Sequence, residues 1–187
     1  MEAPSFLHFV QLGFTHVIPL GFDHILFILT LFFLSSDLKK AIVQCSVFTI
    51  AHSISLGLTA TGIIINKPSV IEPLIALSIL FTSLEIIIGN KITRWHYLVL
   101  FLFGLVHGMG FAGALLEDSN VSTQLISSLL GFNLGVELGQ LLVIMFIYFI
   151  INNWFKHQSW YYSKVVYPFA AGCGCIAIYW TIVRIVQ

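Results

Sequence analysis

A chain of 187 residues with 58% hydrophobic side chains, only 9% charged ones and a mean hydropathy of +0.99 lies far outside the range of a soluble domain and reads as an integral membrane protein. That length holds about six spans of roughly 20 residues with short loops and leaves nothing for a separate soluble domain, so one transmembrane domain over residues 1–187 is expected. Net charge is zero, and no Lys/Arg cluster or basic aromatic face points to a nucleic-acid partner.

The N-terminal stretch MEAPSFLHF has no basic region of the kind that opens a cleavable signal peptide, and the apolar run after it carries Asp23 and His24. Residues 4–15 are too short to cross a bilayer and are expected to lie at the interface or to re-enter. Span one, about 16–35, has Pro19 and Gly21 near its start, where a missing donor and a flexible backbone cost least. Within it Asp23 and His24 stand side by side in otherwise pure hydrocarbon. A charge at mid-bilayer costs about 2.5–3.5 kcal/mol on insertion scales, which makes the pair a functional-site candidate.

Span two, about 41–64, carries His52 and Ser53 near its centre and ends at the turn Asn66-Lys67-Pro68. Span three, about 69–88, has Glu72 close to its start and Glu85 close to its end, the latter expected to pair with Lys91 or Arg94. Span four, about 96–116, holds His107 among the small residues Gly104, Gly108 and Gly113. In span five, about 124–151, Gly131, Gly135 and Gly139 recur at four-residue spacing, a small face for tight helix packing. Asn133, Glu137 and Gln140 share another face of the same span. Span six, about 164–186, contains no acid or histidine and reads as scaffold. Cys45, Cys173 and Cys175 read as small packing residues, and His8, His96 and His157 carry no assigned role.

Six of the eight basic residues (Lys39, Lys40, Lys91, Arg94, Lys156 and Lys164) fall on one side of this topology, against Lys67 and Arg184 on the other. Cytoplasmic loops attract Lys and Arg, so both termini are expected outside the cytoplasm, in the periplasm of a bacterial inner membrane. At about 1.5 Å of rise per residue, Asp23, His24, His52, Glu72, His107, Asn133 and Glu137 then come to one level in the outer half of the membrane.

Carboxylates at that depth need compensation by a bound cation or a shared proton. Imidazole nitrogen and carboxylate oxygen suit borderline divalent metals such as Ni, Co or Zn. The expected metal ligands are Asp23, His24, His52, His107 and Glu137, with Ser53, Glu72, Asn133 and Gln140 as hydrogen-bond partners around them and His16 at the entrance. The helical HExxH zinc signature is absent.

The stretches LGFDHILFIL, FTIAHSISL, VIEPLIALSI, FGLVHGMGFA and GFNLGVELGQ resemble the successive blocks of the HupE/UreJ family of small bacterial membrane proteins, associated with hydrogenase and urease accessory functions. They follow the family's order over roughly residues 13–145. The resemblance implies a nickel- or cobalt-type permease in which metal passes His and acidic groups. The family's nickel permeases carry a His-x5-Asp-His block, where this chain has six residues between His16 and Asp23-His24. They also carry an FHGxAHGxE-like block, which here reads FGLVHGMGF with His107 as its one histidine and Gly110 in place of the glutamate. The chain thus resembles a second branch of the family.

Two functions remain open on these residues. One is a transition-metal permease. The other is an intramembrane metal-dependent hydrolase in which a zinc-like ion on His24, His52 and His107 activates water, with Asp23 or Glu137 as general base and a lipid or lipoprotein as substrate. A third reading is an assembly protein whose polar layer only locks helix packing. The expected partners are the metal ion and membrane lipid, with a homo-oligomer or an accessory membrane protein as further alternatives.

Overall fold

Backbone polar groups in lipid must be satisfied within the protein, and long unbroken apolar runs do this by forming helices. The computed structural model describes residues 6–89, 92–116 and 124–186, and every regular element among them is helical. In order these are α1 (Phe6–Val17), α2 (Phe22–Ser35), α3 (Leu38–Ala60), α4 (Pro68–Ile88), α5 (Arg94–Leu116) and α6 (Leu125–Ile147). α6 continues through a π-helical stretch at Tyr148–Asn152 and a single turn at Asn153–Phe155, and a second π-helical stretch at Tyr162–Val166 leads into α7 (Tyr167–Val186).

Among the described residues, five helical stretches are long and apolar enough to cross a membrane: Leu38–Ala60, Pro68–Ile88, Arg94–Gly113, Leu125–Phe155 and Tyr162–Val186. α1 and α2 pass the same test as a pair, bent by 71° at the break between them, which brings the number to six when they are counted as one broken span. The protein is an all-α membrane bundle, as composition requires.

Span one differs from the expected continuous helix at 16–35. The helix stops at Val17 and restarts at Phe22. Pro19 lacks a donor there, and Gly21 lies so close to the His16 carbonyl that a Cβ would collide with it. α1 also packs into the bundle rather than lying flat on its surface. The cause is the glycine face of α6: Gly131 meets Phe6 and Phe9, Gly135 meets Val10 and Phe14, and Gly139 meets Val17. Gly13 completes the seam from the other side, against the main chain of Phe132.

A second close seam joins α5 to α3, where Gly104 meets Phe48 and Ala51, and Gly108 meets the His52 carbonyl and Ser55. Local signals end and start the helices where sequence places them. Ser36 closes α2 in the left-handed region at φ 49°, the Asp37 side chain accepts from the Lys40 N–H at 2.9 Å to open α3, and Gly89 at φ 74° closes α4. The starts of α2, α4 and α6 share one end of the bundle with the ends of α3, α5 and α7, as the contact of Arg184 with Glu72 and the seams above require. This is the pocket end. Lys39, Lys40 and Arg94 lie at the opposite, far end, and Lys91 lies outside the described residues.

The α1–α6 seam makes a direct prediction. Gly135→Ala should destabilise the purified protein by about 1–3 kcal/mol, because the added methyl meets main chain that cannot move aside. Gly172→Ala, with nothing within 4 Å of the added carbon, should shift stability by less than about 0.5 kcal/mol. Unfolding midpoints in detergent micelles compare the two.

Candidate functional site

The break between α1 and α2 and the α3–α5 seam bring four imidazoles together. His16 ends α1, His24 lies in the first turn of α2, His52 sits in mid-α3 and His107 in α5. Their ring centroids stand 4.6 Å apart for His16 and His24, 5.3 Å for His24 and His107, 6.1 Å for His24 and His52, and 6.4 Å for His16 and His52. His24, His52 and His107 are buried, at 4%, 0% and 1% exposure.

Hydrogen bonds fix two of the rings. His107 Nδ1 lies 2.8 Å from the Phe103 carbonyl, so Nδ1 carries the hydrogen and Nε2 keeps its lone pair. His24 Nδ1 lies 3.2 Å from Asp23 Oδ1, and that carboxylate oxygen also accepts the His24 main-chain N–H at 2.9 Å. The His24 Nε2 is likewise left as an acceptor. Five buried ring nitrogens have no hydrogen-bond partner among the described residues: Nε2 of His16, His24 and His107, and both nitrogens of His52.

Beside the rings lies a cavity of about 260 Å³ whose lining includes His16, Asp23, His24, Glu72, His107, Phe111 and Arg184. His52 sits behind this lining. Arg184, from the last turn of α7, donates to the Glu72 main-chain carbonyl at 3.0 Å, approaches Asp23 Oδ2 to 3.7 Å and lies over the Trp180 ring. Asp23 is thereby engaged on both oxygens. Toward the far end the site is closed by rings: Phe48 and Phe27 stand 4.9 and 5.3 Å from His107, and Phe27 packs on Phe48 at 5.1 Å and on Phe103 at 6.4 Å.

The remaining expected residues sit elsewhere. Glu137 accepts from Ser46 Oγ at 2.9 Å and is not part of the pocket lining. Gln140 accepts from Thr49 at 3.0 Å, Asn133 donates to the Leu129 carbonyl, and Ser53 donates to the Thr49 carbonyl, so none of the three hydrogen-bonds a histidine of the cluster. His16, expected at an entrance, is inside the cluster. Glu85 pairs with His96 at 3.0 Å rather than with Arg94. α7, expected to be scaffold, supplies Arg184 to the cavity. The sequence position of that arginine marks only the end of an apolar run and carries no signal of the inward turn. Among the described residues, no three His, Cys, Asp or Glu side chains converge closely enough to hold a metal ion. Cys45, Cys173 and Cys175 are all free thiols, the first two buried.

Comparison with known proteins agrees with the motif reading. A search of curated proteins and a search of solved structures give no match. The family model described as HupE / UreJ protein matches residues 1–184, which takes in α1 to α6 and α7 as far as Arg184. The chain belongs to the HupE/UreJ family.

Proposed function

We propose that the protein is a permease for a divalent transition metal, nickel or cobalt, and that the four-histidine cluster is where the ion enters it. The observation that carries this reading is the set of five buried imidazole nitrogens without partners beside the Asp23 carboxylate. Leaving one buried polar group unsatisfied costs about 1–3 kcal/mol, so a cluster of them calls for a ligand. Imidazole nitrogen suits Ni, Co and Zn.

The ring orientations support the same ligand class. A metal-bound histidine donates its other ring N–H to a carboxylate or carbonyl, as His24 does to Asp23 and His107 does to Phe103. Asp23 therefore acts by orienting His24 and supplying charge, with His16, His24, His52 and His107 as nitrogen donors. Glu137 is tied to Ser46 and takes no part in holding the ion. Family membership supports nickel or cobalt as cargo.

The looseness of the cluster favours cargo over a resident ion. The donors must draw together to bind, and conduction needs binding weak enough for release. A catalytic zinc sits on three fixed protein ligands with one open position. The described residues do not fit that requirement, which counts against the intramembrane hydrolase. When no ion is bound, Arg184 balances part of the Asp23 charge, and an arriving cation displaces it. We place the pocket end in the periplasm of a bacterial inner membrane, because Lys39, Lys40 and Arg94 lie at the far end.

Three measurements follow. Proteoliposomes bearing the wild type should take up Ni²⁺ or Co²⁺ into a trapped metal-sensitive dye. His52→Ala or His107→Ala should cut the rate by about tenfold or more, whereas Glu137→Gln should retain it. Arg184→Gln should tighten equilibrium binding of the ion severalfold at low salt, since it removes a competing cation, and weaker binding would count against the displacement step. In a variant with its three native cysteines replaced, Lys67→Cys should react on intact cells with a membrane-impermeant thiol reagent while Lys39→Cys does not; the opposite pattern would invert the orientation.

A further inference from the structure

At the far end of the bundle α3, α4 and α5 meet through a second buried polar group, distinct from the histidine pocket. His96, in the first turn of α5, places Nδ1 3.0 Å from Glu85 Oε2 of α4 and Nε2 2.8 Å from Gln44 Oε1 of α3. The Gln44 amide has no freedom to turn over. Its Nε2 donates to the carbonyls of Leu31 at 3.3 Å and Lys40 at 3.2 Å, so its oxygen is what faces His96.

Hydrogen counting then fixes the state of the imidazole. Because Gln44 presents an acceptor, His96 Nε2 must carry a hydrogen. A neutral ring has only that one, which would leave the Nδ1 lone pair facing a carboxylate oxygen at 3.0 Å. Two acceptors in a buried site repel at that distance. The contact closes only with one more proton, held either as imidazolium with carboxylate or as imidazole with carboxylic acid.

We propose that Glu85, His96 and Gln44 form a proton-binding site at the far end of the protein, whose single exchangeable proton lies between Glu85 Oε2 and His96 Nδ1. On release the proton leaves through Glu85, whose side chain is 12% exposed, while that of His96 is 2% exposed. Release leaves a neutral ring, with its hydrogen on Nε2, opposite a carboxylate. The pair must then part, so the proton acts as a latch between α4 and α5.

Among the described residues, the titratable and charged groups around this site lie on the same three helices. Lys39 and Lys40 of α3 and Arg94 of α5 are exposed, Tyr97 touches the His96 ring edge-on at 5.8 Å, and Lys91 lies outside the described residues. The Thr30 and Thr82 hydroxyls pair at 2.8 Å toward the pocket end. The crevice lined by His96, Thr82 and Phe103 has no space for a water molecule. This site does not depend on the metal reading.

The test is nitrogen-15 NMR of histidine-labelled full-length protein in lipid nanodiscs at neutral pH, joined to infrared spectroscopy of the same sample. The expected wild-type result is a fully protonated His96 ring, identified by its loss in His96→Gln, or in its place a Glu85 carboxylic-acid band. Glu85→Gln should remove that one proton and leave His96 neutral. Because the Gln amide N–H can donate to Nδ1, this variant keeps the hydrogen bond, and a site serving only to pack helices would lose neither a ring proton nor a carboxylic-acid band. A neutral His96 together with an ionised Glu85 in the wild type would overturn the proposal. Where the wild-type ring is protonated, a His96 spectrum unaltered by Glu85→Gln would overturn it as well; where the proton rests on Glu85, so would a carboxylic-acid band that survives Glu85→Gln. If His96→Gln does not fold, the infrared comparison of wild type with Glu85→Gln carries the same decision for the carboxyl, and residue-specific labelling of the wild type carries it for the ring.

Discussion

The close approach of α5 to α3 at Gly108 is the constraint on which the pocket depends. A Cβ at this position would strike the His52 carbonyl and the Ser55 hydroxyl oxygen, so anything larger than hydrogen drives the two helices apart. Because His107 is the next residue, the same displacement would carry its ring away from His24 and His52. In lipid no hydrophobic force holds helices together, and small residues that permit dense packing serve instead. The glycine seam of α6 does the equivalent for α1, whose last turn carries His16. Two sets of glycines with no chemistry of their own thus position three of the four rings, and Asp23 orients the fourth.

Polarity is distributed in two layers. One, at the pocket end, leaves ring nitrogens without partners and opens to a cavity. The other, at the far end, is closed on itself, with the two ring nitrogens of His96 and both ends of the Gln44 amide engaged. Between them Phe27, Phe48 and Phe103 form a barrier of packed rings, and the Thr30 and Thr82 hydroxyls pair with each other. Unsatisfied donors and acceptors are what a ligand site looks like before binding, whereas a satisfied network specifies structure or stores a proton. The two layers differ in this respect more than in composition.

Much of this was legible from spacing, and the exceptions have physical causes. Apolar run lengths give the bundle, and the depth of His24, His52 and His107 along their spans brings them to one level. Depth does not give the face, however. Glu137 lies at a suitable depth but points to Ser46, and nothing within span five reports which neighbour it meets. His16 read as an entrance because, on a continuous helix, eight residues before His24 would place it about 12 Å away. The break after Val17 and the 71° bend bring the two rings to 4.6 Å instead. The roles of Arg184 and His96 are not legible in the sequence for a shared reason: each lies at a span end, where a polar residue is ordinarily solvated, and only the antiparallel run of α7 beside α4 or the crossing of α3 turns it inward.

The central claim is that the partnerless imidazole nitrogens are ligands for a transition metal. X-ray absorption at the nickel edge of purified, nickel-loaded protein tests it most directly, because scattering from the imidazole ring is distinct from that of water or carboxylate. The account predicts a nitrogen-rich coordination shell with several histidine rings, reduced by one ring in His52→Ala. Nickel that washes away, or a shell of oxygen alone, would contradict it.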